Sequence, residues 1–203
     1  EKSVVELERV CNITNQLKVF FPLTPKPLIV INAGGFSTRN FLDKKLTPSM
    51  YEKVADSLRQ VNQDGVEIII QTMPPFPWHF GGQSHHNLFV DPHEIRDFCE
   101  KYGYRICYDT SHSMMASTYY QWELSEFTEV VGPYVAHMHI VDALGVDGEG
   151  IEVGGGDVDF KLLSLKLEKY NKNTMFLPEV WQGHKNSGEG FWKALEFLEG
   201  VGF

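Results

Sequence analysis

Short apolar runs rich in β-branched residues alternate along this chain with stretches whose apolar residues recur every three or four positions. The apolar runs predict five strands, within residues 27–35, 66–78, 104–112, 134–143 and 174–183. The three-to-four spacing predicts helices over residues 1–17, 47–63, 91–103, 121–131, 159–171 and 188–200. Strands that alternate with helices in this way are typical of an α/β fold with a parallel sheet and right-handed crossovers.

Side chains alternate along a strand, so the same pattern predicts which residues share a face of the sheet. Within residues 134–143, His137 and His139 lie on the face opposite an apolar set that would pack beneath the helices. Polar side chains on the predicted inner face end four consecutive strands: Gln71, Asp109, His139 and Glu179. Parallel α/β folds build their sites at that edge, because strand ends hold side chains rigidly while the following loops vary.

Composition and charge narrow the class of protein. The 203 residues are 42% hydrophobic and 22% charged, which suits one globular domain without an internal boundary. The net charge of -9 argues against a nucleic acid or an anionic membrane as partner, and favours a small ligand. No run approaches the roughly 18 apolar residues of a membrane span. Three cysteines without a CxxC motif indicate buried thiols in a reducing cytoplasm.

The polar side chains at the strand ends offer carboxylate, imidazole and amide donors, a mixture suited to Mn, Zn, Co or Mg. Each also has a structural interpretation. Asp109 could cap the following helix, Gln71 could satisfy loop backbone, and His137, a candidate substrate contact, could be a hydrogen-bonded core residue. Glu179 is harder to explain in this way, because a carboxylate between FLP and VW would be costly to bury unpaired.

Two loops beyond the strand ends carry further candidate substrate contacts. The segment PPFPWHFGGQSHHNLF includes Trp78 and His79, and aromatic faces suit the apolar side of a bound ligand. His184 and Lys185 follow the last strand and could meet an anionic group or be solvated. The glycine-rich residues 145–160 are expected to form a loop, in which the run GGG indicates a close approach of backbone rather than a phosphate site.

The motifs YDTSH, HMHIVDALGVDGEGIEVGGGDVDF and FLPEVWQG, in this order, resemble the xylose-isomerase-like barrel superfamily of sugar isomerases, ketose 3-epimerases and an apurinic endonuclease. The resemblance covers nearly the whole chain, but only about strands 4 to 8 of the family's barrel. It implies a partial parallel (β/α) barrel of the TIM type, a single domain over residues 1–203 that lacks its N-terminal strands. The segment PEVWQGHKNSGEGFWKAL is similar to the isomerase-like barrel fused in sialic-acid-synthase-type proteins.

Carried over residue by residue, the resemblance implies a divalent metal on Asp109, His139 and Glu179. Gln71 stands where the family's fifth strand supplies a glutamate. The resemblance also implies that Glu179 transfers a proton and that His112 polarises the substrate. Gln71 is the main departure from the family pattern, because a glutamine can coordinate through its carbonyl oxygen but cannot serve as a general base.

These implications predict a divalent-metal-dependent isomerase or epimerase that acts on a sugar or sugar derivative through an enediolate. Because three barrel strands are missing, we expect fusion to a longer protein or self-association with another copy. One alternative is a metal-dependent phosphodiesterase of the endonuclease type; the net charge and the absence of an Asp-x-His, where this chain has Asp147 and Glu149, count against it. The other alternative is a non-catalytic carbohydrate-binding or scaffolding barrel of a polysaccharide or sialic-acid biosynthesis protein, which Gln71 favours.

Overall fold

The computed structural model describes residues 2–79, 81–171 and 173–203, with the backbone alone for His79. Five parallel strands form one sheet, hydrogen-bonded in the order in which they occur along the chain. They are β1 (Leu28–Ile31), β2 (Glu67–Gln71), β3 (Ile106–Asp109), β4 (Val135–Ile140) and β5 (Phe176–Pro178). The predicted α/β class and the five parallel strands are confirmed, with β1 and β5 at the edges of the sheet.

Within the described residues, seven α-helices connect and cover the strands. They are α1 (Lys2–Leu17), α2 (Thr47–Arg59), α3 (Pro92–Tyr102), α4 (Thr110–Tyr120), α5 (Leu124–Val131), α6 (Phe160–Asn171) and α7 (Lys185–Val201). In α7, Asn186, Ser187 and Gly188 have left-handed φ angles of 51°, 62° and 84°, so the regular helix follows Gly188. Among the described helices, none has the length and apolar character that crossing a bilayer requires.

Helix α4 is a correction to the sequence pattern, which predicts a single helix over residues 121–131. The structure has α4 before that range and α5 within it. Seven side chains of α4 are buried: Thr110, Ser111, His112, Ser113, Met115, Ala116 and Ser117. A helix that is buried on most sides lacks the amphipathic spacing on which the prediction depends, so the pattern missed it. His112 therefore lies in the first turn of a helix.

The sheet has an apolar outer face and an inner face that becomes polar at the strand ends. The outer side chains are at most 3% exposed and pack against the helices: Ile68, Ile70, Tyr108, Met138 and Ile140. On the inner face, Cys107 is a buried free thiol, as are Cys11 and Cys99 elsewhere in the chain. The alternation predicted from the sequence is thus confirmed, and the inner face directs its polar side chains towards one another.

The glycine-rich segment is more ordered than the predicted loop. Asp142–Leu144 pairs antiparallel with Gly148–Ile151, and we call this pair the hairpin. The buried carboxylate of Asp142 accepts four backbone N–H bonds at 2.8 to 3.0 Å, from Ala143, Gly154, Gly156 and Val158. A Cβ at Gly156 would lie 2.2 Å from the carbonyl oxygen of Ala143, so the run GGG does permit a close backbone approach.

Candidate metal and substrate site

The four polar side chains predicted at the strand ends come together on the inner face. Asp109 is in register with His139 on the neighbouring strand, and Gln71 ends β2 in register with Cys107 of β3. Glu179 directly follows β5, and its backbone N–H donates to the carbonyl oxygen of Ile140 at 3.2 Å. The ends of four adjacent strands therefore hold what we call the strand-end cluster: Gln71, Asp109, His139 and Glu179.

Short contacts link the members of the strand-end cluster. Nε2 of Gln71 donates to Oδ2 of Asp109 at 2.7 Å and lies 3.1 Å from Nδ1 of His139. The same Nδ1 lies 2.7 Å from Oε2 of Glu179 and 3.8 Å from Oδ2 of Asp109. One ligand atom from each of Asp109, His139 and Glu179 lies within 4.8 Å of the other two. Four side chains with potential metal-ligand atoms therefore lie close together.

The donor set fits a divalent cation. Ligand atoms bound to one ion at about 2.1 Å stand about 3 Å apart when adjacent and about 4 Å apart when opposite. The contacts of the cluster, from 2.7 to 3.8 Å, are close to these values, and the three charged or imidazole ligands lie within 4.8 Å of one another. Two carboxylates with an imidazole suit Mn, Zn or Co, and turning over the Gln71 amide would add its oxygen as a neutral donor. Asp109 is 1% exposed, whereas the side chain of Glu179 is 51% exposed, so a ligand could approach from the Glu179 side.

Asp109 combines the two roles that its sequence left open. Its Oδ1 accepts the backbone N–H of His112 at 2.9 Å, which makes Asp109 the N-cap of α4. Its Oδ2 faces Gln71 and His139. Oγ1 of Thr72 accepts the backbone N–H of Asp109 at 2.9 Å and holds the residue from the other side. Capping and membership in the cluster are therefore compatible, because each uses a different carboxylate oxygen.

His112 is buried and has a partner at each ring nitrogen. Nδ1 lies 2.8 Å from the carbonyl oxygen of Thr72, which only accepts, so Nδ1 is the donor. Nε2 lies 2.9 Å from Oε1 of Glu149 in the hairpin. Burial by itself would lower the pKa of His112, but the carboxylates of Asp109 and Glu149 raise it to about 9. A cationic imidazole therefore stands beside the cluster.

The other charges of the site are set by the same two influences, burial and neighbouring charge. Burial raises the pKa of Asp109, although His112 and His139 oppose that shift. The hydrogen bond from His139 lowers the pKa of Glu179 despite its partial burial, so Glu179 is ionised at neutral pH. Burial and the neighbouring His139 lower the pKa of His137, whose ring centre is 5.4 Å from that of His139.

The remaining predicted substrate contacts lie on the loops. Trp78 is 67% exposed in a short strand pair, while the side chain of His79 lies outside the described part of the structure. His184 and Lys185 are exposed after β5, and Nζ of Lys185 donates to Oε1 of Gln182 at 2.7 Å. Among the described residues, no hydrogen bond or ion pair joins these side chains to the cluster, so their contact with substrate stays a prediction.

Sequence reasoning missed two residues of the site. Thr72 is one of them, because nothing in its sequence context predicts its hydrogen bond to the backbone of Asp109. Glu149 was noticed only as a departure from a nuclease pattern, although its position between two glycines in GEG is a signal of special backbone geometry. By contrast Glu67, two residues before Gln71, is bound to Arg105 at 2.7 Å, so its carboxylate is engaged away from the strand-end cluster.

Comparison with known proteins agrees with this architecture. A sequence profile described as a xylose isomerase-like TIM barrel matches residues 1–201. No curated protein matches the sequence.

Solved structures match the fold at low sequence identity. A xylose isomerase domain protein from Planctomyces limnophilus is 17% identical, with a TM-score of 0.64 over 98% of this chain and 63% of that one. D-psicose 3-epimerase from Clostridium cellulolyticum H10, solved with D-tagatose, is 15% identical, with a TM-score of 0.60 over 93% and 71%. The probable 3-DHS dehydratase AsbF of Bacillus anthracis is 12% identical, with a TM-score of 0.63 over 94% and 69%.

The matched proteins are longer than this chain. It spans 64%, 63% and 62% of three of them, which is less than two thirds of their length. At these identities the likeness shows the fold, and it agrees with a partial barrel of the TIM type.

Proposed function

The chain belongs to the xylose isomerase-like TIM barrel family, and from this premise we propose that it isomerises or epimerises a sugar or sugar derivative with a divalent metal. The observation that carries the proposal is the convergence of four donor side chains, from four adjacent strand ends, within contact distance. The solved structure of D-psicose 3-epimerase with D-tagatose supports a sugar as the substrate class. Because one fold hosts many reactions, the cluster and not the barrel supports the chemistry.

Asp109, His139 and Glu179 would hold the metal, with Gln71 as a fourth donor. When bound, the divalent ion supplies a Lewis acid that stabilises negative charge on a substrate oxygen. Glu179 is the half-exposed member of the cluster and is ionised, so we assign it the removal of the proton next to the sugar carbonyl. The C–H electron pair then forms the double bond of an enediolate.

The buried, cationic His112 stabilises the enediolate, because its positive charge lies beside the cluster at which the negative charge develops. We assign contact with the sugar ring to His137, which adjoins His139, and to Trp78 and His79 in their loop. His184 and Lys185, beyond β5, would meet an anionic substituent if the sugar carries one.

Metal content tests the cluster directly. We expect the purified protein to retain about one divalent ion per chain after exposure to Mn²⁺ or Zn²⁺ and dialysis. Asp109→Asn and His139→Gln should each weaken binding by at least about a hundredfold, because each removes a predicted ligand. Elemental analysis and titration calorimetry provide the measurement. Asp97→Asn, an exposed aspartate on α3, is the matched control and should bind as the wild type does. Wild-type protein free of metal would refute the metal site.

Gln71→Glu should tighten metal binding by about tenfold, because a third carboxylate would join the two already facing the ion. Nε2 of Gln71 lies 2.7 Å from Oδ2 of Asp109, so the new charge also needs the cation as a partner. The variant should therefore be less stable than the wild type without metal and regain stability when metal is added. Unfolding temperatures measured with and without Mn²⁺ give the comparison. An unchanged dependence on metal would show that residue 71 does not face the ion.

Gln71 favours a second candidate function, because a glutamine cannot serve as a general base. In this second function the barrel binds a carbohydrate without catalysing its conversion. The two functions differ in one measurement. An enzyme exchanges the substrate proton with solvent, whereas a binding domain leaves it in place.

A further inference from the structure

In this site a second half-exposed glutamate contacts a buried histidine. Oε1 of Glu149 lies 2.9 Å from Nε2 of His112, and the two side chains are 46% and 7% exposed. This repeats the pair formed by Glu179 and His139, in which the distance is 2.7 Å and the side chains are 51% and 11% exposed. Two glutamates in matching environments thus enter the same region of the barrel.

Asp109 lies between the two pairs. Its Oδ2 is 3.5 Å from Nδ1 of His112 and 3.8 Å from Nδ1 of His139. Glu149 and Glu179 are therefore at the two ends of one chain of contacts that crosses the strand-end cluster. These contacts connect both glutamates to the cluster at which a substrate would be held.

The backbone on both sides of Glu149 has a conformation that favours glycine, and this conformation directs Glu149 towards His112. A Cβ at Gly148 would lie 2.4 Å from the carbonyl oxygen of Leu144, and Gly150 has a left-handed φ of 76°. The carbonyl oxygen of Gly150 accepts the backbone N–H of Trp181 at 2.9 Å, two residues beyond Glu179. Three of the N–H bonds to Asp142, from Gly154, Gly156 and Val158, hold the segment that follows the hairpin, so the hairpin that carries Glu149 is anchored to that segment.

Epimerisation, one of the two proposed reactions, needs a second proton-transfer group. A base that removes a proton from one face of a carbon and returns it to the same face leaves the configuration unchanged. Inversion requires delivery from the opposite face. Gln71 cannot deliver a proton, since an amide is neither an acid nor a base at neutral pH.

We propose that Glu149 is this second proton-transfer group and that His112 orients its carboxylate; the inference rests on the proposed function. Glu179 takes the proton, the C–H bond breaks, and its electron pair forms the carbon–carbon double bond while the carbonyl electrons move to oxygen. The proton shared by Glu149 and His112 then forms a new C–H bond on the opposite face, and the carbonyl is restored. Solvent takes the proton from Glu179 and returns one to Glu149.

Deuterium exchange separates the two carboxylates. The full protein, loaded with Mn²⁺, is incubated with D-psicose or D-tagatose in D₂O, and NMR follows deuterium entry into the starting sugar and formation of the epimer. Glu149→Gln should form epimer about a hundredfold more slowly or worse, yet still exchange the proton of the starting sugar, because Glu179 remains. Its metal content should equal that of the wild type.

Asp147→Asn is the matched control, since it removes a carboxylate from the turn of the same hairpin. It should both exchange and epimerise as the wild type does. The inference is overturned if Glu149→Gln epimerises at the wild-type rate, or if it loses exchange and epimer formation to the same extent. If the wild type neither exchanges nor epimerises D-psicose and D-tagatose, the proposed function fails for these ketoses, and the inference about Glu149 fails with it.

Discussion

Glu179→Gln is expected to stop deuterium exchange and epimer formation together, each by about a thousandfold or more. Glutamine preserves the size of the side chain but cannot accept the proton whose removal starts the reaction. The loss of both activities distinguishes this variant from Glu149→Gln, which should lose only the inversion. NMR in D₂O, with D-psicose and D-tagatose as substrates, measures both rates in one experiment.

Glu179 is also a predicted metal ligand, so the measurement must separate the two roles. The assay is therefore run at Mn²⁺ concentrations that saturate the variant, as judged by titration. Glu52→Gln, an exposed glutamate on α2, is the matched control and should retain full activity. If Glu179→Gln at saturating metal exchanges deuterium as fast as the wild type, another group removes the proton.

Asp142→Asn should lower the free energy of unfolding by about 3 to 5 kcal/mol, the largest stability effect that we expect. The carboxylate accepts four backbone N–H groups in a fully buried position. An asparagine keeps one acceptor oxygen but turns its amide nitrogen towards N–H groups, so donors would face donors and stay unsatisfied. Urea unfolding followed by circular dichroism gives the free energy.

Asp147→Asn again provides the control, because Asp147 is an exposed residue of the hairpin turn and its loss should change stability by less than about 0.5 kcal/mol. We also expect Asp142→Asn to slow epimer formation more than proton exchange, because Asp142 supports the hairpin that carries Glu149. Equal stability of the two variants would mean that the four N–H bonds contribute little to the fold.

Much of the site follows from local rules in the sequence. The alternation of side chains along β3 and β4 placed Asp109 and His139 on one face, and the parallel order of strands placed their ends side by side. The same rules placed Gln71 and Glu179. For Asp109 these rules are insufficient, because a helix cap and a metal ligand have the same signature in sequence. Only the directions of its two carboxylate oxygens show that it caps α4 while also facing the cluster.

By itself the sequence determined where the five strands lie along the chain, the inward face of each and the strand ends at which polar residues gather, because these depend on periodicity within single segments. The tertiary structure decided that α4 is a helix, that Asp142 gathers the glycine-rich segment and that Glu149 meets His112. Residues 112 and 149 are 37 positions apart, and their contact depends on how the hairpin packs over α4. Packing between distant segments produces no periodic pattern in either segment. The position of Glu149 beside His112 is therefore seen only in the folded protein.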